Sequence, residues 1–430
     1  YDGAMGTMIQ KEKLEEEDYR GERYKDVEQL MKGNNDMLSV TKPEVIKGIY
    51  KKYLEAGSNM IGTNTFSSTT IAQADYALEG LVYELNYHGA RLAREACDEM
   101  TKEDPSNPRF VCGAVGPTNR TGSISPDVED PASRNVTFDE LVDAYYEQVV
   151  GLMDGGADIL IVETIFDTLN AKAAVFAIGE YLEHTGLDVP LIVSATLVDQ
   201  SGRTLSGQTG EAFYASMRHS RPMCIGLNCA LGAQQMAPFL ERLSKAAECF
   251  VHVYSNAGLP NAMGGYDDTP EDMARDNFGF ADKGWVNLIG GCCGSRPDHI
   301  EAIAQAVSKY PPRKIPERPK ALRLSGLEPF TGDDNVLFIN VGERTNVTGS
   351  ARFRKLIAEG DYETALDALM RANTRLSHEK VEEILTDAGL DFDAIAASTG
   401  MPTGLRVLSN ITICCAFGKF LFVLHCFRSS

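Results

Sequence analysis

The sequence predicts an α/β protein: a (β/α)8 barrel of the TIM type followed by a second, truncated α/β segment. Short apolar runs that end in small or polar residues recur through the first three hundred positions, and amphipathic helical stretches lie between them. Eight such units close a barrel whose active site belongs at the carboxyl ends of the strands. An open doubly wound sheet is the rival fold, but it would rarely need eight units without a Gly-x-Gly-x-x-Gly phosphate turn.

The predicted elements run in order along the chain. The first is the segment Tyr1-Asp2-Gly3-Ala4-Met5-Gly6, which is counted as the end of a strand. Seven further strands are predicted at residues 59–65, 110–117, 158–164, 190–196, 224–232, 250–258 and 286–294. Among the helices, residues 138–153 carry apolar side chains at helical spacing, and residues 298–309 form the last helix of the barrel.

Beyond the barrel, assigned to residues 1–309, a proline-rich and basic stretch predicts a semi-rigid linker over residues 310–335. A strand over 336–346 and a helix over 350–359 then begin a second α/β domain, which is truncated at about residue 371. Residues 372–430 show no strand–helix alternation and stay unassigned. Their apolar end is shorter than a membrane span of about 20 residues, so an aberrant terminus is favoured over a membrane anchor.

The composition narrows the class of protein. With 43% hydrophobic and 24% charged residues, the 430-residue chain has the composition of a soluble globular protein. The formal net charge of -20 argues against binding to nucleic acid, which needs clustered Lys and Arg. Ten cysteines in so long a chain do not make a disulfide scaffold, and no secretory leader precedes the first motif. These features predict a cytoplasmic protein, and the start at Tyr1 without a methionine predicts a fragment.

Three cysteines follow predicted strands at the same end of the barrel. Cys229 lies in the second half of the run 224–232, and Cys292 and Cys293 lie in the glycine-rich end of the run 286–294. Three thiolates at strand ends can hold zinc and leave its fourth tetrahedral position open, as catalytic sites do. Free cysteines are also commonly buried as small hydrophobic residues, and adjacent cysteines alone are a weak zinc signal. Both interpretations remain open on spacing alone.

The motifs nevertheless resemble those of known families. The homocysteine-binding module of zinc-dependent homocysteine methyltransferases is similar in five segments: Asp2-Gly3-Ala4-Met5-Gly6-Thr7, Thr63-Asn64-Thr65-Phe66, Glu163-Thr164, Gly226-Leu227-Asn228-Cys229 and Gly290-Gly291-Cys292-Cys293-Gly294. Residues 340–350, Asn-Val-Gly-Glu-Arg-Thr-Asn-Val-Thr-Gly-Ser, look like the opening of the pterin-binding domain of cobalamin-dependent methionine synthases. The motifs occur in the same order as in these families, and the resemblance covers roughly residues 1 to 370.

The resemblance implies a (β/α)8 barrel that transfers a methyl group from 5-methyltetrahydrofolate, through methylcobalamin, to homocysteine. It places the zinc ligands at Cys229, Cys292 and Cys293. Zinc deprotonates a bound thiol, so the metal would activate the homocysteine sulfur and position it. The implied partners are therefore homocysteine and folate.

Four further residues are candidates for binding the substrate. The resemblance places contacts to the amino-acid part of homocysteine at Asp2 and Glu163, with Thr63 nearby. A pair of carboxylates suits an ammonium group, although such acids also cap helices or face solvent, and a threonine at a strand end commonly satisfies local backbone. The amide oxygen of Asn256 is a candidate to occupy the fourth position of the zinc when no substrate is bound. An asparagine before Ala-Gly is also a frequent turn former.

In the second segment, the resemblance makes six residues part of a pterin pocket wall: Asn340, Glu343, Arg344, Asn346, Arg352 and Phe353. A single βα unit cannot enclose a ligand or bury its own apolar faces, so weak folate binding or none is expected. The chain has no Asp-x-His-x-x-Gly cobalamin-binding motif. Two alternatives therefore stand beside a methionine-synthase type of enzyme. One is a methyltransferase that uses betaine or S-methylmethionine without cobalamin, and the other is an inactive homocysteine-binding regulatory fragment.

Overall fold

Seven parallel strands form one curled sheet, and their spatial order is their order along the chain. The structure, a computed structural model, describes residues 1–130, 132–333, 351–362 and 364–365. The strands are β1 (Met60–Gly62), β2 (Phe110–Val115), β3 (Ile159–Ile165), β4 (Leu191–Ala195), β5 (Cys224–Gly232), β6 (Phe250–Asn256) and β7 (Leu288–Gly291). Sequential parallel order with a helix in each crossover is the arrangement of a TIM-type barrel, so the predicted α/β class is confirmed.

Twelve α-helices belong to the described part of this first unit. They are α1 (Met5–Lys11), α2 (Glu16–Arg20), α3 (Leu38–Thr41), α4 (Pro43–Glu55), α5 (Thr70–Gln73), α6 (Val82–Glu103), α7 (Phe138–Asp154), α8 (Thr168–Thr185), α9 (Gly210–Met217), α10 (Ala233–Ala246), α11 (Pro270–Asp282) and α12 (Pro297–Val307). Short 3-10 helices lie at Asn35–Met37, Ala74–Tyr76, Glu79–Leu81 and Arg218–Ser220. A capping box between Thr137 and Glu140 begins α7, which confirms the helix predicted from residue 138.

The eighth place in the barrel is filled without an eighth strand. The Tyr1 backbone nitrogen donates to the carbonyl of Ile289 at 2.9 Å, and the Gly291 N–H donates to the carbonyl of Asp2 at 3.0 Å. On the other side, an Asp2 carboxylate oxygen accepts from the Gly62 N–H at 2.8 Å. The predicted strand over residues 1–6 is therefore an extended bridge of about two residues between β7 and β1, because Met5 already begins α1.

The two faces of the strands pack in different surroundings. Leu160, Val162 and Val193 belong to the large core between sheet and helices, whereas Ile161 and Ile192 belong to a smaller cluster on the opposite face. This alternation is the period of two expected when one face of each strand points into the barrel.

His252 and Tyr254 stack on each other on this sheet, with ring centroids 4.4 Å apart. The His252 Nε2 atom lies 3.4 Å from the carbonyl of Val193, and burial lowers the pKa of His252 to about 3. A methyl group on Gly226 would lie 2.1 Å from the His252 carbonyl oxygen. The glycine is therefore required for β5 and β6 to approach as closely as they do.

Residues 310–333 pack on the barrel. Arg313 is 5% exposed, and its guanidinium donates to the backbone carbonyls of Ser244, Ala247 and Cys249. An antiparallel hairpin follows, formed by β8 (Leu322–Ser325) and β9 (Pro329–Gly332), and it contacts α9. The predicted boundaries of linker and domains stay predictions, but a basic stretch predicted as a spacer contains a buried anchor and two strands.

The chain divides into two compact units, Tyr1–Asn335 and Val336–Ser430. In the second unit the structure describes helix α13 (Ala351–Glu359), which matches the helix predicted from about residue 350. The strand predicted at 336–346 and the tail from 372 lie outside the described residues. Within the described residues, no helix has the length and apolarity that crossing a membrane requires.

Candidate metal centre

A cleft of about 680 Å3 opens at the carboxyl ends of the strands. Its lining includes the ends of β1, β3, β5 and β7 together with residues 1–6. Four carboxylates, Asp2, Asp36, Asp75 and Glu163, line it, and none of the described residues in its wall is Lys, Arg or His. The cleft therefore favours neutral or cationic groups over anions.

Three cysteine sulfurs meet in the wall of this cleft. The Sγ atoms of Cys229, Cys292 and Cys293 all lie within 4.8 Å of one another, and those of Cys229 and Cys293 are 3.6 Å apart. Zinc–sulfur bonds of about 2.3 Å in tetrahedral geometry would place two sulfurs about 3.8 Å apart. The donor set and spacing thus fit a zinc ion, which these three thiolates would hold.

An irregular end of β5 sets the position of Cys229. The pairing of β5 with β6 shifts between Asn228 and Gly232, and Cys229 and Ala230 adopt left-handed backbone conformations with φ of 62° and 60°. Such conformations are strained for residues other than glycine. Bulges of this kind redirect side chains next to active sites, and this one brings the Cys229 thiol to the other two.

A tight turn after β7 presents Cys292 and Cys293. The Cys292 N–H donates to the carbonyl of Ser255 at 2.8 Å, and the Ser295 hydroxyl donates back to the Cys292 carbonyl at 2.6 Å. Gly294 takes a left-handed conformation with φ of 81°, and an added methyl group there would lie 2.3 Å from Cβ of Tyr266. Adjacent cysteines can face one centre here because the strand has ended and the turn reverses the chain.

The three thiols share hydrogen bonds. Those from Cys229 and Cys292, with a further one from the Tyr266 hydroxyl, hold the pKa of Cys293 well below its usual range. The hydrogen bond with Cys229, and then that with Cys293, raise the pKa of Cys292 well above its usual range. One thiolate is therefore stabilised by its neighbours, while a second negative charge beside it is disfavoured unless a cation compensates.

The predicted carboxylates both lie in the cleft. Burial raises the pKa of Asp2 to about 8, against the hydrogen bond from the Gly62 N–H. Burial also raises the pKa of Glu163 to about 7, with a further contribution from Cys293. An ammonium group placed between these carboxylates would lower both pKa values and be bound by two charges.

Thr63 and Asn256 make contacts with the protein itself. The Thr63 hydroxyl accepts from the Ala114 N–H at 2.8 Å, and the Asn256 side-chain oxygen accepts from the Cys293 N–H at 3.1 Å. These contacts agree with the structural interpretations left open for both residues, and their roles in binding stay predictions. Of the predicted pterin residues, Arg352 is exposed and Phe353 buried on α13, and the other four lie outside the described residues.

Three residues that the structure brings to the site have no role predicted from the sequence. Asn228 is fully buried beside Cys229, Asp36 is 4% exposed in the cleft wall, and the Tyr266 hydroxyl reaches Cys293. The sequence does indicate Asn228, because it is a polar residue within an otherwise apolar strand. Asp36 lies in a 3-10 helix of three residues and Tyr266 in the loop before α11, and segments this short or irregular have no periodic spacing that would reveal them.

Comparison with known proteins agrees with this architecture. Three crystal structures of the homocysteine methyltransferase MmuM from Escherichia coli share the fold, and each covers 71% of this chain and 94% of the MmuM chain. The TM-score and sequence identity are 0.56 and 21% for the metallated form, 0.55 and 21% for the oxidized form, and 0.52 and 20% for the apo form. A family model described as homocysteine S-methyltransferase matches residues 1–307. Since this match spans well over half of the 430 residues, the chain belongs to the homocysteine S-methyltransferase family.

Proposed function

We propose that this protein is a zinc-dependent methyltransferase that takes homocysteine as its methyl acceptor and forms methionine. One observation carries the proposal: three cysteine sulfurs lie within 4.8 Å of one another in the wall of the cleft. A zinc ion bound there supplies the chemistry of thiol activation, because it lowers the pKa of a thiol that enters its open position.

Two groups of residues bind the two ends of the substrate, its sulfur and its ammonium group. Cys229, Cys292 and Cys293 hold the metal, and their negative charge keeps an added sulfur electron-rich. Asp2 and Glu163 bind the ammonium group of the amino acid, which fixes the distance from that group to the sulfur. The burial of both carboxyl groups supports this role, because a carboxylate in a low-dielectric cleft is strongly stabilised by a cationic partner.

The acidic side chains of the cleft wall indicate which methyl donors the site accepts. Folates carry carboxylates, and a wall with four acidic side chains and, among its described residues, no Lys, Arg or His side chain disfavours them. We therefore assign methylcobalamin as the direct donor and 5-methyltetrahydrofolate as the source that recharges it elsewhere. The same acidic wall favours a second candidate, direct transfer from a small cationic donor such as betaine or S-methylmethionine.

The test is a methyl-transfer assay with the zinc-loaded chain and homocysteine. Each donor is supplied separately: free methylcobalamin, 5-methyltetrahydrofolate, betaine and S-methylmethionine. Methionine is expected to form with methylcobalamin and with none of the other three donors. Methionine formation only with a cationic donor would establish the second candidate. Homocysteine binding without methionine from any donor would instead identify an inactive binding fragment.

A further inference from the structure

Asn228 connects the two halves of the proposed site. Its side chain is fully buried in β5, directly before the irregular part of that strand, and makes four contacts. The amide oxygen accepts from the Thr164 N–H at 3.0 Å and from the Ser194 hydroxyl at 2.6 Å. The amide nitrogen donates to the Thr164 hydroxyl at 2.8 Å and approaches the Cys292 sulfur at 4.0 Å. The side chain therefore links β3, β4 and β5 with the cysteine turn that follows β7.

These contacts determine which way the amide faces. The Thr164 N–H can only donate, so the atom opposite it must be the oxygen of Asn228. The nitrogen then faces the Thr164 hydroxyl and the Cys292 sulfur. An aspartate of the same size would offer no N–H to either of them.

Thr164 needs such support because its backbone is strained. Its φ is 55°, a left-handed value that is unusual for a β-branched residue. The pairing of β3 with β4 shifts at this point, between Val162 and Ile165. Asn228 bonds both the backbone N–H and the hydroxyl of Thr164, which holds the bulge that turns the preceding Glu163 to the cleft.

We propose that Asn228 is a positioning residue that couples the amino-acid site to the metal site. It holds the left-handed turn at Thr164, and thereby the direction of the Glu163 carboxylate, while its N–H group supports the Cys292 sulfur. The inference deepens the proposed function and rests on it. Partners that orient metal ligands commonly change metal affinity by about 10- to 100-fold when replaced.

Three variants separate this role from simple packing. Asn228→Asp keeps the size and removes the N–H donor to both Thr164 and Cys292. Thr164→Val keeps the shape and removes only the hydroxyl acceptor on the β3 side. Ser194→Ala is the matched control, because it removes a buried hydrogen bond to the same Asn228 oxygen and leaves Thr164 and Cys292 untouched.

The readouts are zinc affinity by competition with a chromophoric chelator, homocysteine affinity by calorimetry, and the sulfur-to-metal absorption of the cobalt(II)-substituted protein. Asn228→Asp should weaken zinc binding about 10-fold or more, weaken homocysteine binding and shift the cobalt spectrum. Thr164→Val should weaken homocysteine binding and leave zinc affinity unchanged. Ser194→Ala should lower the denaturation midpoint and alter neither affinity.

The outcomes distinguish the inference from the function on which it rests. If the wild-type chain binds no zinc or no homocysteine, the proposed function fails before any variant is compared. If the wild type binds both, and Asn228→Asp binds both within twofold of it, the positioning role is wrong. Should Asn228→Asp fail to fold, Thr164→Val decides the matter, and unchanged homocysteine affinity in that variant overturns the inference.

Discussion

Replacing Cys229 by alanine should weaken zinc binding by about two to three orders of magnitude. Zinc sites with four protein ligands bind with about 10–16 kcal/mol, so one ligand contributes about 3–4 kcal/mol, and every 1.4 kcal/mol is about tenfold. The other described side chains offer no second cluster of three metal-binding groups that would take over. Alanine fits the site, because it meets the same left-handed backbone strain as the cysteine at φ of 62°.

Cys249→Ala is the matched control for this experiment. Cys249 is partly buried directly before β6, at the opposite end of the barrel from the cleft, and it is absent from the cluster. Zinc affinity by chelator competition should fall by that amount in the first variant and stay unchanged in the second, and elemental analysis after dialysis against the chelator should show less zinc only in the first. Equal retention of zinc by the two proteins would show that the three sulfurs are not its ligands.

Three further predictions concern stability in urea denaturation. Arg313→Met leaves three backbone carbonyls without their donor, two of them in buried hydrogen bonds, and should cost about 3–5 kcal/mol. A loss below about 1 kcal/mol would show that residues 310–333 do not support the barrel. Gly226→Ala places a methyl group 2.1 Å from the His252 carbonyl oxygen and should cost about 3 kcal/mol or more. Its control, Gly279→Ala in α11, meets no atom within 4 Å and should gain about 0.5–1 kcal/mol; equal effects of the two substitutions would contradict the packing argument. Burial raises the pKa of Asp36 to about 6, above its value of about 3.9 in an unfolded chain. The native state then holds the proton more tightly, so this group makes stability fall as the pH rises from about 4 to about 6. Asp36→Asn should remove up to about 3 kcal/mol of that fall, and an unchanged pH slope would refute the assignment.

Much of the barrel could be predicted because strand ends carry a simple signal. The run Ile159–Ile165 is apolar until it reaches Glu163, and β4 and β5 end in the same manner. Since parallel strands share one carboxyl edge, the three cysteines were expected near one another, and their sulfurs lie within 4.8 Å. Their role as metal ligands stays a prediction.

The parts that escaped prediction depend on contacts between distant segments. The left-handed turns at Thr164 and Cys229 are held by the tertiary fold and leave no trace in residue type, since neither position is a glycine. Asn228 was visible as a polar residue in a strand, but its four contacts lie on three other segments. Arg313 looked like part of a solvated basic spacer, because burial of an arginine depends on the carbonyls that surround it.

The three cysteines come from segments far apart along the chain, the end of β5 and the turn after β7, on either side of β6. An ion shared by them would act as a cross-link across the rim, present only once both segments are in place. When the free concentration of such an ion is a thousand times its dissociation constant, its binding stabilises the folded state by about 4 kcal/mol. Metal supply would then govern the lifetime of the protein as well as its chemistry, and loading would be among the last events of its maturation.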